Sequence, residues 1–203
     1  MLKHFPTPYK VSHLFLSNPE LKVAFAPDNM LPVRQKLMIR VLDALTLLQK
    51  NELIALPTET VYGLAGRADS PEAVKKIYAL KGRPSNNPLI CHIANSEKAK
   101  EFCHLSTQAL RLTELFWPGS LTLIVPLKNP DLVCSEARAG LSTVGIRCPD
   151  HPLALEVLSQ LKFPVVAPSA NLSNLTSPTC PVHVQEHFPM LPILDGGACH
   201  SGV

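Results

Sequence analysis

LPTETVYGLAGRADSPEAVKKIYALKGRPSNNPL, residues 56–89, is the stretch on which the reading of the fold turns. A strand, Leu53-Ile54-Ala55-Leu56, leads into it and ends at Pro57, where the small hydroxyls Thr58 and Thr60 flank Glu59. A turn around Gly63 and Gly66 is expected next, followed by a short helix over 71–80. Asp69 or Ser70 can cap that helix, Pro71 suits its first position, and Val74, Ile77 and Tyr78 recur at helical spacing. The helix runs out at Gly82 into a Lys-Gly-Arg-Pro loop. Lys81 and Arg83 are two residues apart, so in an extended loop they point the same way. An isolated K-x-R is usually a solvated loop. Here Gly82, Pro84, Asn86, Asn87 and Pro88 shape the backbone around it, and Asn87 adds a donor and an acceptor beside the cations. That combination reads as an anion site, with Lys as a compact charge and Arg as a planar fork for phosphate oxygens.

Outward from this stretch the periods are regular. Leu37, Met38, Val41, Leu42, Leu45 and Leu48 form a helical stripe, with Lys36, Arg40, Asp43 and Gln49 opposite. Downstream, strands are expected at 89–93, 121–125, 143–147 and 164–167, and one begins at Ile193-Leu194. Helices are expected at 96–104, at 107–117 behind a capping Ser106, and from Asp150 and Pro152 to Leu161. Strands and helices mixed in this order specify a layered α/β or α+β domain. Residues 1–33 stand apart as an N-terminal extension in which prolines interrupt short apolar pieces, and 34–203 form one domain.

Composition narrows the function classes. Hydrophobic residues make up 46% and charged residues 17% of 203, enough for a real core and too apolar for disorder. A net charge of +3 permits an anionic substrate but is small for a general nucleic-acid binder, and 5% aromatics offer few stacking platforms. Cys91, Cys103, Cys134, Cys148, Cys180 and Cys199 contain no C-x-x-C and no paired spacing, so neither a zinc site nor a disulfide framework is expected. Reduced thiols in a cytoplasmic protein are. The longest apolar run, Leu121 to Leu127, is broken by Thr122 and Pro126, and no membrane span is expected. There is no G-x-x-x-x-G-K-[ST], no G-x-G-x-x-G and no H-E-x-x-H, and no Ser-His-Asp or Cys-His set can be assembled. A nucleotide, if bound, must meet side-chain cations and hydroxyls. Ser169-Ala170-Asn171 is the second polar cluster. It follows the small, β-branched strand Val165-Val166-Ala167, at the end of a strand where α/β sheets bind ligands. A plain polar turn, with Asn171 bracing its own loop, accounts for it equally well.

PTETVYGL followed by KGRPxxNPL, FWPGSLT at 116–122, STVGIR at 142–147, and PSAN with a trailing SPT at 168–179 together resemble the YrdC/TsaC-type threonylcarbamoyl-AMP synthase family. The resemblance runs from about Val33 to the last residue. It implies a twisted mixed sheet with packed helices and a concave cationic cavity. It also implies a reaction in which L-threonine, bicarbonate and ATP, with Mg²⁺, give threonylcarbamoyl-AMP and pyrophosphate for tRNA modification, a partner enzyme making the final transfer. By the same resemblance Lys81, Arg83, Ser169 and Asn171 line the nucleotide cavity, Lys81 and Arg83 serving catalysis. Asn87, Thr143 and Thr179 also contact ATP, and Thr60, His92, Arg147 and Ser169 hold the amino acid. The chemistry agrees: Arg147 can pair with an α-carboxylate, and the hydroxyls can read a hydroxyl or amine. A lone His on an apolar strand is otherwise a core residue, and Glu59 either assists a proton transfer or caps its turn.

Two other readings use the same residues. One is a non-catalytic module for tRNA or double-stranded RNA, disfavoured by the small charge and few aromatics. The other is a carbamoyl-transfer domain of the kind found inside hydrogenase-maturation proteins, which would need companion domains. In the resembled family Asp195-Gly196-Gly197…Gly202-Val203 continues into an acidic-Ser-Thr strand and a later basic residue. The expectation is that the chain is truncated inside that motif, or closes its site differently, and that it folds, binds ATP weakly and turns over little.

Overall fold

In the computed structural model, residues 37–202 are described. The extension expected at 1–33 and the start of the first helical stripe lie outside them. The described strands are β1 (Met38–Ile39), β2 (Ile54–Leu56), β3 (Gly63–Arg67), β4 (Ile90–His92), β5 (Leu123–Pro126), β6 (Thr143–Arg147), β7 (Val165–Val166) and β8 (Ile193–Leu194). The helices are α1 (Val41–Gln49), α2 (Pro71–Lys81), α3 (Ser96–Phe102), α4 (Thr107–Phe116), α5 (Pro152–Gln160) and α6 (Pro181–His187). The strands form one mixed sheet in the order β1-β8-β2-β3-β7-β4-β6-β5. β1, β8 and β2 run parallel, as do β4 and β6, while the β2/β3, β3/β7, β7/β4 and β6/β5 pairs are antiparallel. This is the mixed α/β sheet expected.

Strand alternation divides the core into two layers. Ile54 and Leu56 of β2, Ala65 of β3 and Val165 of β7 pack with Ala44 and Leu48 of α1 and Ala154, Val157 and Leu158 of α5. Their neighbours Ala55, Leu64 and Val166, with Cys91 and Ile146, face the other way onto α2, α3 and α6 through Val74, Ile77, Phe102 and Val184. α1 and α5 cover the β2–β3–β7 part of their face. Towards the β6–β5 edge that face is open, with Ile90 and Ile124 exposed on it. A cavity lies along that boundary.

Caps follow the sequence. Ser70 Oγ accepts the Ala73 amide at 3.2 Å, Ser106 Oγ accepts the Ala109 amide at 3.1 Å, and Gly82 closes α2 at φ +61°. Asp69, the other candidate cap, instead takes a two-point ion pair from Arg67 at 2.8 and 2.6 Å.

Three local expectations are corrected. The turn around Gly63 and Gly66 is the central strand β3. Its glycines mark close neighbours and not a reversal, for a Cβ on Gly63 would stand 2.9 Å from Ala167 Cβ. Leu37 and Met38 do not extend the first helical stripe: Leu37 is a turn residue and Met38 belongs to β1, pairing with Ile193. Leu42, placed on that stripe, points to solvent, because the buried line of α1 is Ala44 and Leu48. α6 was not expected at all: Val182 and Val184 in PVHVQEH mimic a strand, and only Val184 is buried.

Candidate functional site

A cavity of about 240 Å³ opens where Gly63 of β3 bridges to Ser169, beside β4 and β6. The strand register builds it. His92 of β4 pairs with Arg147 of β6, and His92 also pairs with Val165 of β7. Thr60, Arg83, His92, Arg147 and Ser169 all line it, with Thr58. The whole expected amino-acid set therefore meets in one cavity, together with one cation of the expected nucleotide set.

Thr58 holds the loop after β2. Its hydroxyl donates to the Val61 carbonyl at 2.7 Å and accepts the amides of Thr60 and Val61 at 3.2 and 3.1 Å. This turn sets Thr60 against Arg147, whose Nη2 donates to Thr60 Oγ1 at 2.9 Å and to Glu59 Oε1 at 2.5 Å. Glu59 is thus neither a free carboxylate nor a turn cap but the partner of Arg147. Its other oxygen accepts the Asp150 amide at 3.0 Å. Sequence reasoning missed that pairing because the two residues are 88 positions apart.

His92 Nδ1 lies 3.2 Å from the Ile90 carbonyl. Burial, with the Arg147 charge behind it, pulls the imidazole down to about 4, so it is neutral at pH 7. With Nδ1–H donating to that carbonyl, Nε2 is the acceptor. Between pH 6.5 and about 4 the unfolded chain binds a proton at this imidazole and the folded chain does not. Stability therefore falls as pH falls through that window, by about 3 kcal/mol in all. Denaturant unfolding at pH 7 and pH 4 should show this loss, and the His92→Gln variant should lack that share of it.

The two cations of the Lys-Gly-Arg loop do not point the same way, because Lys81 is still helical and Gly82 turns the chain left-handed. Lys81 is 3% exposed. Its ammonium donates to the carbonyl of Ser169 and, at 2.6 Å, to that of Asn171. Burial, then the Arg83 charge, pull it down to about 8, while the two carbonyls favour its protonated form. Arg83 stays at the cavity edge, where it donates to the carbonyls of Asn87 at 3.3 Å and Pro88 at 3.2 Å.

The remaining expected nucleotide residues do not line this cavity. Asn87 is exposed, and its carbonyl accepts Tyr78 Oη at 2.9 Å. Asn171 is buried and donates to Leu172 and Leu175 carbonyls at 2.8 and 2.7 Å, bracing its own loop, with Oδ1 left unpartnered. Thr143 stands two positions from Gly145 and four from Arg147 on the same strand face. Thr179 is half-buried, its hydroxyl 3.4 Å from His183 Nδ1. The segment after β8 closes over the loop: Gly196 N donates to Tyr62 Oη at 3.0 Å, that hydroxyl donates to Gly197 O at 2.8 Å, and Ser201 N donates to Glu59 O at 2.9 Å. Tyr62, fully buried, is a residue that sequence reasoning passed over. Among the described residues no group of three His, Cys, Asp or Glu side chains is arranged to hold a metal ion, and no helix is long and apolar enough to cross a membrane.

The fold and site define an α/β domain whose mixed sheet carries a cavity bounded by a guanidinium, a neutral imidazole and hydroxyls among apolar side chains. The family model "Telomere recombination" (Sua5/YciO/YrdC) matches residues 46–203, and the chain belongs to that family. A threonylcarbamoyl-AMP synthase of Bacillus subtilis (strain 168) is 48% identical over 167 residues, covering 81% of this chain and 48% of that protein. One of Yersinia enterocolitica is 37% identical over 158 residues, covering 76% of this chain and 82% of that protein. The crystal structure of Pyrococcus abyssi Sua5 complexed with L-threonine superposes with a TM-score of 0.76 at 40% identity, over 80% of this chain and 48% of that one. The chain spans about half the length of the B. subtilis and P. abyssi proteins.

Proposed function

We propose that this chain performs a nucleotidyl transfer, forming threonylcarbamoyl-AMP and pyrophosphate from L-threonine, bicarbonate and ATP. The observation that carries the reading is the meeting of Thr60, His92, Arg147 and Ser169 in one cavity. The synthase names of its relatives and the L-threonine complex of the P. abyssi protein support it.

In this reading the carboxylate of threonine meets Arg147, and its hydroxyl and amine meet Thr60, Ser169 and the acceptor nitrogen of His92. The threonine amine attacks the bicarbonate carbon, a C–N bond forms as the bicarbonate hydroxyl leaves with an amine proton as water, and a carbamate results. A carbamate oxygen then bonds to the α-phosphorus as the bond to the β-phosphate oxygen breaks and pyrophosphate leaves. Such a step is run by positioning and charge neutralisation. Arg83, at the cavity edge, is the cation that meets the triphosphate. Lys81 acts on the nucleotide side through the Ser169 and Asn171 carbonyls that it holds, and Asn87, Thr143 and Thr179 border the nucleotide. Bound together with ATP, Mg²⁺ would supply neutralisation of phosphate charge beside Arg83. The product serves threonylcarbamoyladenosine formation on tRNA in the cytoplasm, through a partner transferase.

Pyrophosphate release from Mg-ATP is the test: it should depend on both threonine and bicarbonate. Release indifferent to either, or none at all, overturns the reading. Arg83→Ala should weaken ATP binding about 10- to 100-fold, the loss of one charge-assisted contact. Its melting temperature should hardly move, because the side chain is half in solvent. Calorimetric titration with ATP checks it.

A further inference from the structure

Glu59 is 6% exposed and is given no role by either ligand assignment. Its carboxylate is held at both oxygens by different partners: one accepts Arg147 Nη2 at 2.5 Å and the other accepts the Asp150 amide at 3.0 Å. The backbone fixes Glu59, and Glu59 fixes the guanidinium. Both protons of Nη2 are engaged, one on Glu59 and one on Thr60 Oγ1. Arg147 Nε, in contrast, is buried without a partner.

We propose that Glu59 is a positioning residue: the chain Asp150 amide–Glu59–Arg147 holds the guanidinium plane so that its unengaged donors face the carboxylate of the bound amino acid. The inference rests on the reading that this carboxylate meets Arg147. An arginine has large rotamer freedom, and losing it only at the moment of binding weakens a complex. A carboxylate that is itself anchored to backbone removes that freedom in advance. The arrangement also accounts for the position of the pair. An ion pair serving stability alone has no need to line a cavity with Nη1 outside its hydrogen bonds.

An opposing effect exists. The negative charge of Glu59 stands one guanidinium away from the ligand carboxylate and repels it. The two effects have opposite signs on threonine affinity, which makes the proposal decidable. If orientation dominates, removing Glu59 weakens threonine; if repulsion dominates, removal tightens it.

The experiment compares L-threonine, L-threoninol (the carboxylate replaced by a hydroxymethyl group) and ATP on the chain and on two variants, by calorimetric titration. The unsubstituted chain should prefer threonine to threoninol by about tenfold or more. Glu59→Ala should lose most of that preference by weakening threonine about tenfold, with threoninol and ATP moving by less than about twofold. Glu59→Gln should fall between, because its amide oxygen can still accept from Arg147 or from Asp150 but its NH₂ faces the other donor. Loss confined to the carboxylate-bearing ligand is a signature that a merely structural role would not give. The proposal is overturned if Glu59→Ala keeps the preference, binds threonine more tightly, or weakens all three ligands together. If Glu59→Ala does not fold by circular dichroism, Glu59→Gln decides the matter by the same comparison. Failure of the unsubstituted chain to bind threonine sinks the functional reading and this inference with it. A retained preference in Glu59→Ala sinks this inference alone.

Discussion

Replacing Lys81 with methionine should lower the melting temperature by about 5–10 °C, whereas replacing Arg83 with alanine should leave it within about 2 °C. The two cations sit two residues apart in one loop, and their surroundings separate them. Lys81 Nζ is the donor to two carbonyls, those of Ser169 and Asn171, under a residue that is 3% exposed. Methionine fills the volume of the stem and leaves both carbonyls without a donor, at about 1–3 kcal/mol each. Burying the ammonium costs something too, as its fall to about 8 indicates, so the net loss lies towards the lower end, about 2–3 kcal/mol. For a chain of this size each kcal/mol moves the midpoint by about 2–4 °C. Scanning calorimetry of both variants checks the contrast. An unchanged midpoint for Lys81→Met would mean that water replaces the ammonium and that the lysine acts as a charge and not as a staple.

Most of the fold was legible because most elements carry their own punctuation. α2 has Ser70, Pro71 and Gly82 at its ends and Val74 and Ile77 on one side, and the observed bounds, Pro71–Lys81, differ by one residue from those expected. β6 was read to the residue, since Thr143–Arg147 alternates half-buried and buried positions as its composition implies. β3 was not legible. Its two glycines signal a turn locally, and only the approach of Ala167 and Leu53 reveals why side chains are excluded there. β1 failed for a related reason: a two-residue strand exists because Ile193 and Leu194 come alongside it, 155 positions later, and nothing local announces that.

The candidate site divides along the same line. Site positions were legible through the family resemblance, which implies Thr60, His92, Arg147 and Ser169, and all four line the cavity. Partners were not. Whether Lys81 faces a phosphate or a carbonyl, and whether Glu59 is free or paired, depends on chains of contact closed over 88 to 90 positions. The rule that cations in a Gly-Pro loop stay within reach of solvent holds for Arg83, which is half-buried. It fails for Lys81 because α2 continues one residue further than its sequence pattern and buries that residue.

Arg147→Met should weaken threonine by about a hundredfold or more, and it should also destabilise the fold, so the two effects have to be separated. The arginine side chain is 14% exposed and its partner Glu59 8%. Truncating one member of a buried, hydrogen-bonded charge pair leaves the other unpaired, at about 3–5 kcal/mol. The same substitution removes the guanidinium that donates to Thr60 Oγ1, and with it the proposed contact to the amino-acid carboxylate. A carboxylate bound without its cation loses about 3 kcal/mol or more, which is the hundredfold. The double variant Glu59→Gln/Arg147→Met resolves the two. A neutral amide in place of the orphaned carboxylate should recover most of the lost stability in urea unfolding, because what it removes is the unpaired charge. It should recover none of the threonine affinity, because the cation is still missing. Threonine-dependent pyrophosphate release should stay as low in the double variant as in Arg147→Met, while ATP affinity stays near that of the unsubstituted chain. Restored turnover together with restored stability would mean that Arg147 serves the fold alone, and that the carboxylate of the amino acid is held elsewhere.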